Sequence, residues 1–239
     1  MTYFSSAGIL PFFLKKDSHH IANKLNSINE DIKWEDHDYL KEQFSIFSID
    51  FNKDPKTWVN VLSKKDRDML ERYYDKNIKK EHYFLRKKEI TPNYMVKYLH
   101  QKINFFDKKK NYSKFNAILG IEAINSKVYE DTKGFYHESN FSVFAGSRDK
   151  GEKNIRNVAI RECREEGKIV FDDTIFSIEF QTNIRKKYRI SIPNCINIPL
   201  SETRTMKVFI MFIDDFHEKI CEDENGEYLY ISPYKTNHK

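Results

Sequence analysis

Two runs decide the reading of this chain: Gly146-Ser-Arg-Asp-Lys-Gly-Glu152 and, eight residues on, Arg161-Glu-Cys-Arg-Glu-Glu-Gly-Lys-Ile169. A glycine loop leads to a glutamate, then to a short helix that carries Glu162, Glu165 and Glu166. Helical spacing puts Glu162 and Glu166 one turn apart, with Glu165 beside them. Carboxylates on one helical face repel each other, so positive charge is expected among them. Hard oxygen ligands of this kind suit Mg²⁺ or Mn²⁺. Arg161 is placed to orient the same carboxylates by ion pairing.

Working outward, 139–144 is an aromatic and β-branched run that reads as a strand leading into Gly146. Ile155, Val158, Ala159, Ile160 and Cys163 form the apolar stripe of the helix, and Asn154 or Asn157 is expected to cap its start. Gly167 is expected to end it as a left-handed cap. Runs at 174–180, 188–192 and 207–213 read as further strands, with a weaker one at 227–231. Ser6 to Leu14 reads as the first strand, and Pro11 within it predicts an edge or a bulge. The order strand, loop, helix, strands is that of an α/β fold with a mixed sheet.

Composition bounds the rest. The chain has 239 residues, enough for one large domain or two small ones, and its 19 Phe and 14 Tyr supply a real core. The apolar run at 6–14 is too short to span a bilayer and is followed by Lys15 and Lys16, so no membrane association is expected. Three cysteines, at 163, 195 and 221, cannot all pair and lack metal spacing, which points to a reducing, cytoplasmic setting.

From about Ser18 to Phe115 the pattern is helical. Trp58, Val59 and Leu62, then Met69, Leu70, Tyr73 and Tyr74, recur at steps of three and four. Pro55 and Pro92 read as first helical residues. Between Lys64 and Phe115 basic residues exceed acidic ones by nine, whereas the whole chain is only +5, so the remainder is net negative. A basic segment beside an acidic site suits a polyanionic substrate. Lys79, Lys80, Arg86, Lys87, Lys88, Lys108, Lys109 and Lys110 are its candidate RNA-binding residues, interleaved with aromatics able to stack on bases.

The segment from Gly146 to Ile169 resembles the Nudix box, Gly-x5-Glu-x7-Arg-Glu-U-x-Glu-Glu-x-Gly-U, where U is apolar. Gly146, Glu152, Arg161, Glu162, Cys163, Glu165, Glu166 and Ile169 match by type. Two positions depart: eight residues rather than seven separate Glu152 from Arg161, and Lys168 stands where the late glycine belongs. The extra residue is expected to be absorbed near Lys153 and Asn154. The resemblance implies a Nudix-like α/β/α sandwich formed by 1–17 and 116–239, with 18–115 as an inserted helical, basic subdomain. It implies Mg²⁺ or Mn²⁺ held by Glu162, Glu165 and Glu166 with help from Glu152, and hydrolysis of a diphosphate bridge.

A box after a large helical insertion is similar to the mRNA-decapping Nudix enzymes of large DNA viruses. This implies capped RNA as substrate, m7GDP and 5′-monophosphate RNA as products, and action in the cytoplasm, a host's if the chain is viral. A small-molecule Nudix hydrolase acting on ADP-ribose, dinucleotides or inositol pyrophosphates, and an RNA-binding module with a decayed box, remain the alternatives. A general base is expected from a distant loop, where Glu218, Glu222, Glu224 and Glu227 cluster, with Glu222 and Glu227 preferred.

Overall fold

The computed structural model describes residues 4–29, 45–58, 91–125 and 137–234. Its centre is β1 (Phe4–Leu14), nearly all buried. β1 runs parallel to β9 (Thr205–Ile213) along its whole length. On its other side it pairs antiparallel with β6 (Phe144–Ser147) through Ser6–Ile9, then with β4 (Phe115–Asn125) through Phe12–Leu14. Pro11 falls between these two registers, where no antiparallel neighbour faces its missing N–H. The expected edge at Pro11 is therefore corrected to a changeover in a central strand, and the bulge lies at Phe4/Ser6 instead.

β4 also pairs with β2 (Ser45–Ile49) and β5 (His137–Ser142), β5 with the two-residue β3 (Thr91–Pro92), and β9 with β8 (Cys195–Pro199). The result is a mixed eight-stranded sheet. Period-two alternation sorts its side chains into two cores. Leu10, Phe12, Leu119, Val208, Ile210 and Phe212 enter one; Ala7, Ile9, Phe13, Ile118, Met211 and Ile213 enter the other.

The first core is covered by α2 (Tyr94–Phe106) through Val96, Leu99 and Ile103, and by Ile184 of α4 (Ile178–Tyr188). The second is covered by α1 (Lys15–Asn29) through Ile21 and Leu25, by α3 (Ile155–Gly167) through Val158, Ala159 and Cys163, and by a small sheet. That sheet is the hairpin β10 (His217–Asp223) and β11 (Gly226–Ser232), with β7 (Ile169–Phe171) parallel to β11. The molecule is thus α/β, a mixed sheet with helices on both faces. Among the described residues no helix is long and apolar enough to cross a membrane.

The described parts of 18–115 do not stand apart as an insertion. They supply α1, β2, β3 and α2 to the common sheet and cores. The reason is visible in polar pins as well as apolar burial. Buried Asn26 of α1 accepts from Ile46 N (2.8 Å) and donates to Ile46 O (2.9 Å), and so pairs with β2 as a strand would. Asn116 donates to Ser18 Oγ (3.2 Å) and Ser48 Oγ (2.9 Å), joining α1, β2 and β4. Trp58 is fully buried in the first core; Val59, Leu62, Met69, Leu70, Tyr73 and Tyr74 lie outside the described residues. Pro55 does begin a short 3-10 turn capped by Asp54, but Pro92 sits in β3 and Asn93 caps α2 by accepting from Val96 N (2.9 Å).

Two expected strands are corrected. Residues 174–180 form a turn and the start of α4, and 188–192 form the end of α4 and a loop. Ser177 accepts from Phe180 N (3.1 Å) and nucleates the helix. Arg185, buried, then donates to Ile192 O (2.9 Å) and Ile210 O (2.6 Å), so the loop's carbonyls are satisfied without a ladder partner.

Asn26→Ala removes both bonds that tie α1 to β2 and leaves a buried N–H and C=O unpaired. It is expected to cost about 2–4 kcal/mol, read as a lowered melting temperature with unchanged far-UV dichroism.

Candidate functional site

α3 starts at Asn154, whose side chain accepts from Arg156 N (3.0 Å). Its apolar stripe faces the second core, and the flank beside that stripe carries Arg161, Glu162, Glu165 and Glu166 next to strand β6. Glu166 accepts from Ala145 N (2.8 Å). Glu162 is buried against Gly146, where a Cβ would overlap its carboxylate. Only glycine lets this carboxylate lie against the strand.

Arg161 binds the group together. Its Nη1 donates to Glu162 Oε1 (2.8 Å) and Glu165 Oε2 (3.0 Å). Its Nε and Nη2 donate to the two oxygens of Glu152 (3.2 and 3.1 Å), and Nη2 also reaches Ser147 O (3.0 Å). Glu152 in turn accepts from Asp149 N (2.8 Å), which closes the loop on itself. Residues 153 and 154 lie between Glu152 and the start of α3, and Arg161, nine residues after Glu152, bonds back to it. The carboxylates close on Arg161; among the described residues no three acidic, His or Cys side chains already form a cage for a metal ion.

Electrostatics separates the carboxyls. Arg161 and the Asp149 N–H hold Glu152 below the usual carboxylate range. Burial pushes Glu162 above it, against the pull of Arg161. The carboxylates beside Arg161, Glu152 foremost, keep its guanidinium protonated. Burial raises the Cys163 thiol well above its ordinary value, which leaves it a core residue.

The end of α3 differs from expectation. Gly167 is the last helical residue and is not the left-handed cap. Its lack of a side chain serves packing, because a Cβ there would press within 3.1–3.2 Å of the Phe144 ring. Lys168 takes the left-handed conformation (φ 52°), donates its N–H to Arg164 O (3.0 Å) and accepts from Leu229 N (2.8 Å).

An open groove of about 350 Å³ runs along the outer side of α3, lined by Asn157, Ile160, Arg161, Arg164, Glu165, Lys168 and Asn225. Arg164 lies over the Tyr228 ring (4.1 Å) and meets Asp223 (2.5 Å), pinning the hairpin tip to the helix. Nothing in the local sequence announces the pairing of Arg164 with Asp223 or the arrival of Asn225. Glu222 and Glu227 face each other across the hairpin and are not among the residues that line the groove. Their neighbours Asp223 and Asn225 meet α3 instead. Glu218 is committed to His20 (2.9 Å) and Lys24 (3.0 Å) of α1.

Of the candidate RNA-binding residues, Lys79, Lys80, Arg86, Lys87 and Lys88 lie outside the described residues, as do Tyr73, Tyr74, Tyr83 and Phe84. Lys108, Lys109 and Lys110 are exposed just after α2, with Lys108 over the Phe105 ring (5.7 Å). Tyr94, Phe105 and Phe106 are exposed, so the buried stripe of α2 is Val96, Leu99 and Ile103 alone.

No known protein family, no curated protein and no solved structure matches this chain.

Two outcomes are expected from this geometry. Lys168→Gly relieves a left-handed backbone and is expected to stabilise the fold by about 0.5–1 kcal/mol, seen as a melting temperature higher by ~2–4 °C. Glu162→Gln is expected to raise stability at neutral pH. The folded-state pKa of Glu162 is raised, so the native state favours its protonated form and wild-type stability falls as pH rises through that pKa. The advantage of Gln should disappear in denaturation curves taken below the carboxylate range, where Glu162 is itself neutral.

Proposed function

We propose that this protein is a metal-dependent pyrophosphate hydrolase of the Nudix type that acts on capped RNA and releases m7GDP and 5′-monophosphate RNA. The observation that carries the reading is the gathering of Glu152, Glu162 and Glu165 on Arg161, with Glu162 and Glu166 seated against the backbone at Ala145–Gly146. The donor set fits a hard divalent cation: every candidate ligand is a carboxylate oxygen, and the net charge of the group is negative. Glu162, Glu165 and Glu166, with Glu152, are the residues that would hold Mg²⁺ or Mn²⁺. Such an ion, when bound, neutralises the diphosphate and acidifies a water molecule.

The chain's own residues do the remaining work. Arg161 keeps four repelling side chains in register by holding three of them directly. Glu162, desolvated against Gly146, is fixed in position. Glu165 is the exposed member: Arg161 holds one of its oxygens, and the carboxylate opens onto the groove, where it takes a proton from the water that attacks phosphorus. The new P–O bond forms in line with the bridging oxygen, which leaves on the nucleoside diphosphate. Support for an RNA substrate is the basic excess of 64–115 and the pairing of lysines with rings on α2, exposed Lys108 over Phe105 and half-buried Lys102 over Tyr98 (5.2 Å).

The test is hydrolysis of cap-labelled RNA with Mg²⁺ or Mn²⁺, alongside free cap analogue and ADP-ribose. Glu165→Gln and Glu166→Gln are each expected to lower kcat by about 10²–10⁴-fold, and chelation to abolish turnover. Undiminished activity in both variants would eliminate the site, and preference for ADP-ribose would eliminate the RNA substrate.

A further inference from the structure

The groove beside Glu165 contains three cations, and two are already committed. Arg161 is engaged by Glu152, Glu162 and Glu165. Arg164 is engaged by Asp223 and lies on Tyr228. Lys168 remains, and among the described residues no carboxylate pairs with it. The amides of Asn157 and Asn225 line the same space, one from α3 and one from the β10–β11 turn. An uncompensated ammonium in an open groove that amides also line is a site for an anion, and phosphate is the anion whose oxygens accept from both kinds of donor.

The backbone sharpens the choice. Lys168 adopts a conformation that glycine takes without strain, at the position where the box pattern has glycine. Lys110 and Arg189 share that conformation, so the angle by itself assigns nothing. Lys168 differs from both in lining the groove that holds Glu165.

We infer that Lys168 binds a phosphate group of the substrate in the groove along α3, next to Glu165, with Asn157 and Asn225 lining the groove beyond it. This rests on the proposed hydrolase reading for the identity of the substrate, and on the groove alone for the binding of phosphate. Lys168 is a substrate-binding residue in this assignment, and its strained backbone is retained in exchange for a charge that glycine lacks.

The experiment uses the full chain as wild type, Lys168→Gly and Lys168→Arg. Binding of a fluorescent 5′-monophosphorylated RNA oligonucleotide is read by anisotropy, with inorganic pyrophosphate as competitor, and KM and kcat are read on capped RNA. Lys168→Gly is expected to weaken binding and raise KM by about tenfold, with Lys168→Arg close to wild type and no loss of thermal stability in the glycine variant. Weakened competition by pyrophosphate in Lys168→Gly places the diphosphate in the groove; unchanged competition places the RNA 5′-phosphate there. If Lys168→Gly matches wild type in both affinity and KM, the groove assignment is overturned while the hydrolase reading stands. If wild type cleaves no capped RNA yet Lys168→Gly still binds the oligonucleotide more weakly, the hydrolase reading falls and the phosphate site remains.

Discussion

Four carboxylates crowd one flank of α3 and the loop before it, and a single guanidinium holds three of them. Without Arg161 the repulsion among Glu152, Glu162 and Glu165 would drive their side chains apart into solvent. With it they close into a compact acidic group, and Glu152, nine residues upstream, is drawn in through both of its oxygens. Strand β6 supplies the second half of the constraint. Gly146 admits the Glu162 carboxylate and Ala145 N–H holds Glu166, so helix and strand are locked by polar contacts as well as by Phe144 against Gly167. The chemistry proposed for the site depends on that lock more than on any single glutamate.

The lock has an energetic signature. Glu162 is held in a position where burial disfavours its charge, and Lys168 in a backbone conformation that disfavours its side chain. Both strains lie within one turn or two of α3, beside the groove. Elsewhere the same fold satisfies its buried polar groups closely: Asn26 completes a strand edge, and Arg185 distributes its protons over carbonyls of α4, the following loop and β9. Left-handed backbone also occurs at Lys110, Arg189 and Asp215, so what sets this end of α3 apart is the buried carboxyl of Glu162 beside Gly146.

Much of this was legible in the chain and some was not, for reasons that differ residue by residue. β1, β9 and β11 announce themselves through apolar runs, and α3 through its stripe and its asparagine cap, because those signals are local; the strand expected at 139–144 is instead divided between β5, which ends at Ser142, and β6, which starts at Phe144 and takes in Gly146, expected as loop. The segment 174–192 misleads: its β-branched and aromatic residues favour a strand, but Ser177 and the buried reach of Arg185 are tertiary decisions that override propensity. β2 hid within a stretch that reads as helical, since its partner Asn26 lies on another element. At the site, the clustering of Arg161 with glutamates on one helical face foretold the ion pairs that the structure shows. The groove was out of reach, because Asn225 and Asp223 arrive from a hairpin far along the chain.

The pairing of β1 with β9 carries a consequence for how the molecule is made. The most deeply buried strand is formed from residues 4–14, and its full-length neighbour from residues 205–213. During synthesis β1 therefore lacks this parallel partner until nearly two hundred further residues have been made, although β4 and β6 reach its other edge sooner. Such long-range pairing folds slowly and leaves the β9-facing edge of β1 open until late in elongation. Biogenesis of this protein thus favours shielding of the open edge of β1, by α1 folding early against it or by a chaperone that recognises extended aromatic peptides.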